Sequence, residues 1–183
     1  MAVQPAYLEK GDTIRIVATA RHIEKEPVEF AVKYLTEKGF NVELGDNIHG
    51  EEGYLAGSDS QRALDLQNAL NAEHVKMVLC ARGGYGSVRI LDKVDWSGYV
   101  ANPKWICGFS DVTALHHRSS TIGIQSVHST MPINFESNSA EALNSLLNAV
   151  SGVQNVFEWT ATHLVDARDI EAEIVNNCSK PPS

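Results

Sequence analysis

A serine followed at once by an aspartate stands where an apolar run gives way to a helical pattern: Gly108-Phe109-Ser110-Asp111-Val112-Thr113. A Gly-x-Ser at a strand-to-helix turn lifts a hydroxyl to the apex of the turn. It also sets that hydroxyl beside the positive end of a helix, which favours developing negative charge. This is the first half of a nucleophile elbow, and its chemistry is acyl transfer. The pattern is incomplete, because Val112 replaces the closing glycine of G-x-S-x-G. The same residues read equally as a helix N-cap, with Ser110 or Asp111 accepting a hydrogen bond from the next turn.

A second segment is Cys80-Ala81-Arg82-Gly83-Gly84-Tyr85-Gly86-Ser87. An apolar run ends, glycines cluster, and a helical pattern follows. Glycine permits positive φ and close approach by a ligand. Backbone N–H groups in such a turn bind a negative oxygen. No Lys-Ser/Thr pair follows the glycines, so this is not a P-loop, and the G-x-G-x-x-G spacing fails. A purely structural turn has the same composition.

A serine nucleophile needs a base within roughly 3 Å. His116 and His117 lie six and seven residues after Ser110. In a helix starting there they stand about 9–10 Å along the axis at ~1.5 Å per residue, out of reach of the hydroxyl. They read as ordinary helix residues. His128, in Val127-His128-Ser129-Thr130-Met131-Pro132, follows a later apolar run and falls near the same edge; its plain reading is a hydrogen-bonded structural histidine. His22, His49, His74 and His163 show no metal-like spacing. The cysteines, Cys80, Cys107 and Cys178, are odd in number and widely spaced, which favours reduced core residues over disulfides or zinc. No metal and no cofactor is expected.

The elements that must position these segments alternate in type. Residues 13–18, 40–44, 75–80, 105–108 and 124–127 read as strands. Residues 26–38, 88–94, 112–119 and 140–150 read as helices, and Ser58 with Gln61 forms a capping box that opens another. Such alternation predicts an α/β fold: a three-layer, flavodoxin- or Rossmann-like domain with a mainly parallel sheet and helices on both faces. Ligands in these folds sit outside the carboxyl ends of the strands. That singles out residues 18–24, 81–87 and 108–113.

The composition frames these expectations. The chain has 183 residues, 43% hydrophobic and 21% charged, which suits one globular domain plus an arm. A net charge of -8 makes it a poor binder of nucleic acid or anionic membrane. No apolar run approaches the roughly 18 residues needed to cross a bilayer. The first residues lack a basic and an apolar signal region, so a cytoplasmic location is expected.

Taken together, Arg82-Gly83-Gly84-Tyr85-Gly86, the run from Asn102 through Gly108-Phe109-Ser110-Asp111 to His116, and His128-Ser129-Thr130-Met131-Pro132 resemble the serine LD-carboxypeptidase family. Lys10-Gly11-Asp12-Thr13-Ile14 is similar to the family's opening strand, and residues 57–66 to the helix before the glycine turn. The likeness runs in order over about residues 8–135. Members include murein-tetrapeptide carboxypeptidases and microcin-immunity peptidases. The resemblance implies Ser110 as nucleophile, with an oxyanion hole made by the backbone N–H groups of Asp111 and Gly84. Arg82, Gly83 and Tyr85 would then contact the peptide substrate. The implied reaction is hydrolysis of the amide before a C-terminal D-amino acid, such as D-Ala of the murein tetrapeptide in bacterial cell-wall recycling. The implied setting is the cytoplasm, often as a homodimer, without metal or cofactor.

Two departures accompany the match. Ala18-Thr19-Ala20-Arg21 stands where many members carry a Pro-Ser-like turn. The family's Glu and His belong to a second domain, whereas this sequence stops at Ser183. The expected organisation is a nucleophile domain over 1–150 and a linker, or the start of a missing second domain, over 151–183. On this reading Ser110 lacks its base in this polypeptide. The alternative is a catalytically silent module that binds a cell-wall peptide or a small carboxylate through Arg82 and the glycine turn.

Overall fold

The computed structural model describes residues 2–156. Most of the expected linker, with His163 and Cys178, lies outside the described residues.

Five parallel strands form one sheet: β1 (Thr13–Val17), β2 (Asn41–Leu44), β3 (Val75–Cys80), β4 (Trp105–Gly108) and β5 (Val127–His128). Their spatial order is β2-β1-β3-β4-β5. This is the flavodoxin-like order, and its topological switch lies between β1 and β3. The crossovers contain α1 (Lys25–Glu37), α2 (Asp59–Asn71), a 3-10 helix (Ser87–Lys93) with α3 (Ser97–Ala101), and α4 (Thr113–Ile122). Then α5 (Pro132–Phe135) and α6 (Ala140–Val150) close the fold. The expected three-layer α/β architecture is present.

Period-2 strands divide the apolar residues between two cores. Ile14, Ile16, Met77, Leu79, Trp105 and Cys107 face α1, α5 and α6, meeting Val28, Leu35, Phe135 and Leu146. On the opposite face Val17, Val78, Cys80 and Ile106 pack with Leu66 and Leu70 of α2, Tyr99 of α3 and Leu115 of α4. Residues inside β1, β3 and β4 feed both layers, which is why these strands read as continuous apolar runs.

Local signals placed several boundaries closely. Ser58 Oγ accepts from Gln61 N–H at 3.2 Å while Gln61 Oε1 accepts from Ser58 N–H at 2.9 Å, completing the expected capping box. Three expectations need correction. The helix expected over 88–94 is a 3-10 helix beginning at Ser87. The strand expected over 124–127 pairs only at Val127 and His128. Its earlier residues are taken by the N-terminal arm: Val3 N–H donates to Gly123 O at 2.7 Å, and Gln125 N–H donates to Val3 O at 2.9 Å. The short helices α3 and α5 were not anticipated.

Among the described residues Cys80 and Cys107 are buried and unpaired. Burial pushes the Cys80 thiol up to about 12 and the Cys107 thiol up as well, so both stay protonated and inert. Among the described residues no helix is long and apolar enough to cross a membrane.

Among the described residues Lys104 and Arg62 are enclosed cations. Lys104, 1% exposed, donates from Nζ to Ala69 O at 3.2 Å and Ala72 O at 2.6 Å, closing the end of α2. Burial, with Lys76 nearby, pulls its ammonium down to about 8. Between that value and its ordinary 10.5, the unfolded chain binds more protons than the folded one. The Lys104 contribution to stability therefore grows as pH rises through this window. Unfolding free energies of wild type and Lys104→Met, compared from pH 7 to 10.5, should diverge in favour of the wild type with rising pH. A pH-independent difference would contradict the assignment. The second enclosed group is Arg62, 0% exposed. Arg62→Met would strip a guanidinium from three buried carbonyls and cost about 3–5 kcal/mol in denaturant unfolding. A loss below about 1 kcal/mol would show that those carbonyls find other partners.

Candidate active site

The site begins where β4 ends. Gly108 has φ +154, and a Cβ there would lie 2.9 Å from Val112 Cγ1, so only glycine fits this turn. Ser110 follows at φ 61 with an exposed side chain. For a serine the left-handed region costs about 1–3 kcal/mol, and such strain persists only where surrounding contacts enforce it. Here they do. Val112 is fully buried, and its N–H donates to Phe109 O at 3.2 Å. Ser129 N–H donates to Gly108 O at 3.0 Å. His116 reaches the same carbonyl with Nε2 at 2.8 Å.

A carbonyl only accepts, so His116 Nε2 carries the proton. Nδ1 then accepts from Ser126 Oγ at 2.9 Å. Burial holds this imidazole below the usual histidine range, although the Gly108 carbonyl pulls the other way. His116 is thus no ordinary helix residue: it clamps the elbow. It is also committed on both nitrogens. Ser110 Oγ makes no hydrogen bond to another described residue. The His128 ring lies 6.1 Å from both the Phe109 and His116 rings, at the rim. It lines an open groove of about 460 Å³ shared with Phe109, Ser129, Asn134 and Asn138.

The glycine turn lies against this elbow. A Cβ on Gly83 would be 3.3 Å from both Ser110 Cβ and Asp111 N. The absence of a side chain is what allows the contact. Gly84 and Gly86 have φ +99 and +140, and Tyr85 between them has φ 81 with its ring exposed. Tyr85 and Ser110 are the non-glycine residues at positive φ among the described residues, one in each loop. Asp111 Oδ2 accepts from Ser87 N–H at 2.8 Å, tying the loops together. The N-cap reading is corrected by this bond. Neither Ser110 nor Asp111 caps its own helix; the Asp111 carboxylate caps the 3-10 helix across the crevice. The N–H groups of Asp111 and Gly84 donate to no other described residue.

The loop after β1 completes the crevice. Arg62 Nη1 donates to Thr19 O at 2.7 Å and to Gly86 O at 2.9 Å, while Nε donates to Gly57 O at 3.3 Å. Asp59 pairs with the remaining nitrogen of Arg62 and is itself held by Arg89. Thr19 Oγ1 lies 2.9 Å from Ser87 Oγ. Arg82 is half-buried, with Nη1 donating to His22 O at 3.1 Å. Ser110, Asp111 and Gly83 therefore meet directly, Gly84 and Tyr85 continue the same turn, and Arg82 is tied back to the β1 loop.

Arg62 and His116 escaped the sequence reading as site-forming residues. For Arg62 a signal was present: it precedes Leu66 and Ala69 by four and seven positions, on the buried face of α2. For His116 none was, since its partner is a backbone carbonyl eight residues back.

Residues 14–129 match the model of the LD-carboxypeptidase N-terminal domain, Peptidase_S66. The probable murein peptide carboxypeptidase of Bacillus subtilis (strain 168) is 40% identical over 113 residues, covering 62% of this chain and 35% of that protein. The murein tetrapeptide carboxypeptidase of Pseudomonas aeruginosa is 32% identical over 116 residues, covering 63% and 38%. The crystal structure of an MccF-like protein from Bacillus anthracis str. Ames superposes with a TM-score of 0.77 at 29% identity, over 82% of this chain and 47% of that one. The chain spans well under half the length of these curated relatives. Because the family model covers more than half of its residues, the chain belongs to the LD-carboxypeptidase family and carries that family's N-terminal domain.

Proposed function

We propose that this chain is the nucleophile-bearing part of a serine LD-carboxypeptidase. It would act on an amide between an L-centre and a C-terminal D-amino acid, such as D-Ala of a murein tetrapeptide. One observation carries the reading. An exposed serine, held at positive φ, packs on a glycine turn beside two backbone N–H groups that serve no described acceptor. Acyl transfer needs a nucleophile and oxyanion donors around one reacting carbon.

In this reading Ser110 Oγ attacks the scissile carbonyl carbon. The oxygen gains negative charge and accepts from Asp111 N–H and Gly84 N–H. The C–N bond breaks, and the departing nitrogen takes the proton that the Ser110 hydroxyl gave up to the base, so the D-amino acid leaves as a neutral amine. Water then attacks the acyl-serine, restoring the hydroxyl and releasing the shortened peptide. Arg82, Gly83 and Tyr85 line the approach. The murein peptide activity named for the Bacillus and Pseudomonas relatives supports this substrate class. A cytoplasmic role in cell-wall recycling, as a homodimer, belongs to the same proposal.

His116, the histidine that touches the elbow, is not placed to serve as its base. Both nitrogens of His116 are engaged, and its lowered affinity for protons leaves it a poor acceptor. We infer that Ser110 waits for a base carried elsewhere in the enzyme. D-Ala release from murein tetrapeptide by the 183-residue polypeptide should fall at least about a thousandfold below that of a complete family enzyme, the residual rate coming from the N–H donors. Turnover near the complete enzyme's, abolished by Ser110→Ala, would place the base within this polypeptide. A fluorophosphonate probe should label Ser110 slowly, and not the Ser110→Ala variant. Labelling of a different serine, or none after prolonged exposure, would favour the silent binding module.

A further inference from the structure

We propose that Arg21 is the receptor for the C-terminal carboxylate of the peptide, an assignment that rests on the carboxypeptidase reading above. The substrate's free carboxylate is three bonds from the scissile carbonyl carbon. Its receptor must therefore stand close to the nucleophile and on the leaving-group side of it. Four arginines border the crevice loops: Arg21, Arg62, Arg82 and Arg89. Three are already engaged. Arg62 is enclosed and donates to Thr19, Gly86 and Gly57 carbonyls. Arg82 donates to His22 O. Arg89 holds both oxygens of Asp59 at 3.0–3.1 Å.

Arg21 differs from all three. Its side chain is exposed, and among the described residues its guanidinium has no carboxylate or carbonyl partner. Yet the side chain is held in place. Its stem lies on the glycine turn, where a Cβ on Gly84 would fall 2.4 Å from Arg21 Cδ and 3.0 Å from Cγ. Its guanidinium sits 5.8 Å from the centre of the Tyr54 ring. Its backbone pairs with Leu55. The N–H fork is left available while the torsions that would be lost on binding are already restricted. Ser110 packs on Gly83 and Arg21 on Gly84, so nucleophile and cation stand on successive residues of one turn. A D-residue spanning that turn would place its amide at Ser110 and its carboxylate at Arg21.

The test uses the 183-residue polypeptide and two defined probes, N-acetyl-L-lysyl-D-alanine and its C-terminal amide, followed by amide chemical-shift titration. Wild type should bind the acid at least about tenfold more tightly than the amide, the scale of a charge-assisted contact. Arg21→Met should erase that preference while leaving affinity for the amide unchanged. Arg89→Met, which removes a charge from the same rim, should preserve the preference. The spectra themselves report whether each variant is folded. An Arg21→Met protein that still prefers the acid would overturn the Arg21 assignment and leave the carboxypeptidase reading standing. A folded wild type that does not distinguish acid from amide would overturn both.

Discussion

A guanidinium sealed at 0% exposure, with its donors satisfied by three backbone carbonyls and one carboxylate, holds the crevice in shape. Arg62 projects from the first turn of α2 and binds the loop after β1 through Thr19, the loop after β3 through Gly86, and its own helix entry through Gly57. Burial works against its charge, and Asp59 works for it. An ion so placed tolerates little movement, because each lost contact leaves a charge or a carbonyl unsatisfied away from water. The two loops on either side of the β1/β3 switch point are therefore set relative to each other by one side chain. Hydrophobic packing could not do this alone: it fixes which face is buried, but it is not directional.

That rigidity is what allows strain to persist beside it. Ser110 and Tyr85 both occupy the left-handed region without being glycine. Each stands in a loop whose ends are pinned. The Asp111 carboxylate joins the loops through Ser87, and the His116 imidazole fixes the Gly108 carbonyl where the elbow begins. Strain held this way exposes a hydroxyl and leaves neighbouring N–H groups without internal partners. The cost falls on the fold, and the chemistry proposed for the site draws on it.

The same arrangement divides labour between polar and charged groups. Arg62, Arg89 and Asp59 neutralise one another and build the frame, whereas Arg21 is braced by an aromatic ring and a glycine turn without being neutralised by a described residue. The histidine nearest the elbow spends both nitrogens on architecture. That commitment fits the proposal that the base for Ser110 comes from another part of the enzyme.

The sequence by itself determined the α/β class, most strand and helix positions, the α2 capping box, and the two motifs around Ser110 and Gly83. Those features follow from local rules: period 2 against period 3.6, capping geometry, and glycines at chain reversals. It misplaced β5 because the N-terminal arm competes for that backbone, a pairing between residues far apart in the chain. It offered Ser110 or Asp111 as a cap for the following helix because an N-cap is the nearest local partner, while the partner of the Asp111 carboxylate, Ser87, stands 24 residues earlier on the neighbouring strand's loop. Tertiary structure alone decided that Arg62 is a staple, His116 a clamp and Arg21 an unneutralised cation over the glycine turn. Each of those roles depends on a carbonyl, a ring or a glycine brought close by sheet order, and residue type and spacing along one chain do not record which loops become neighbours.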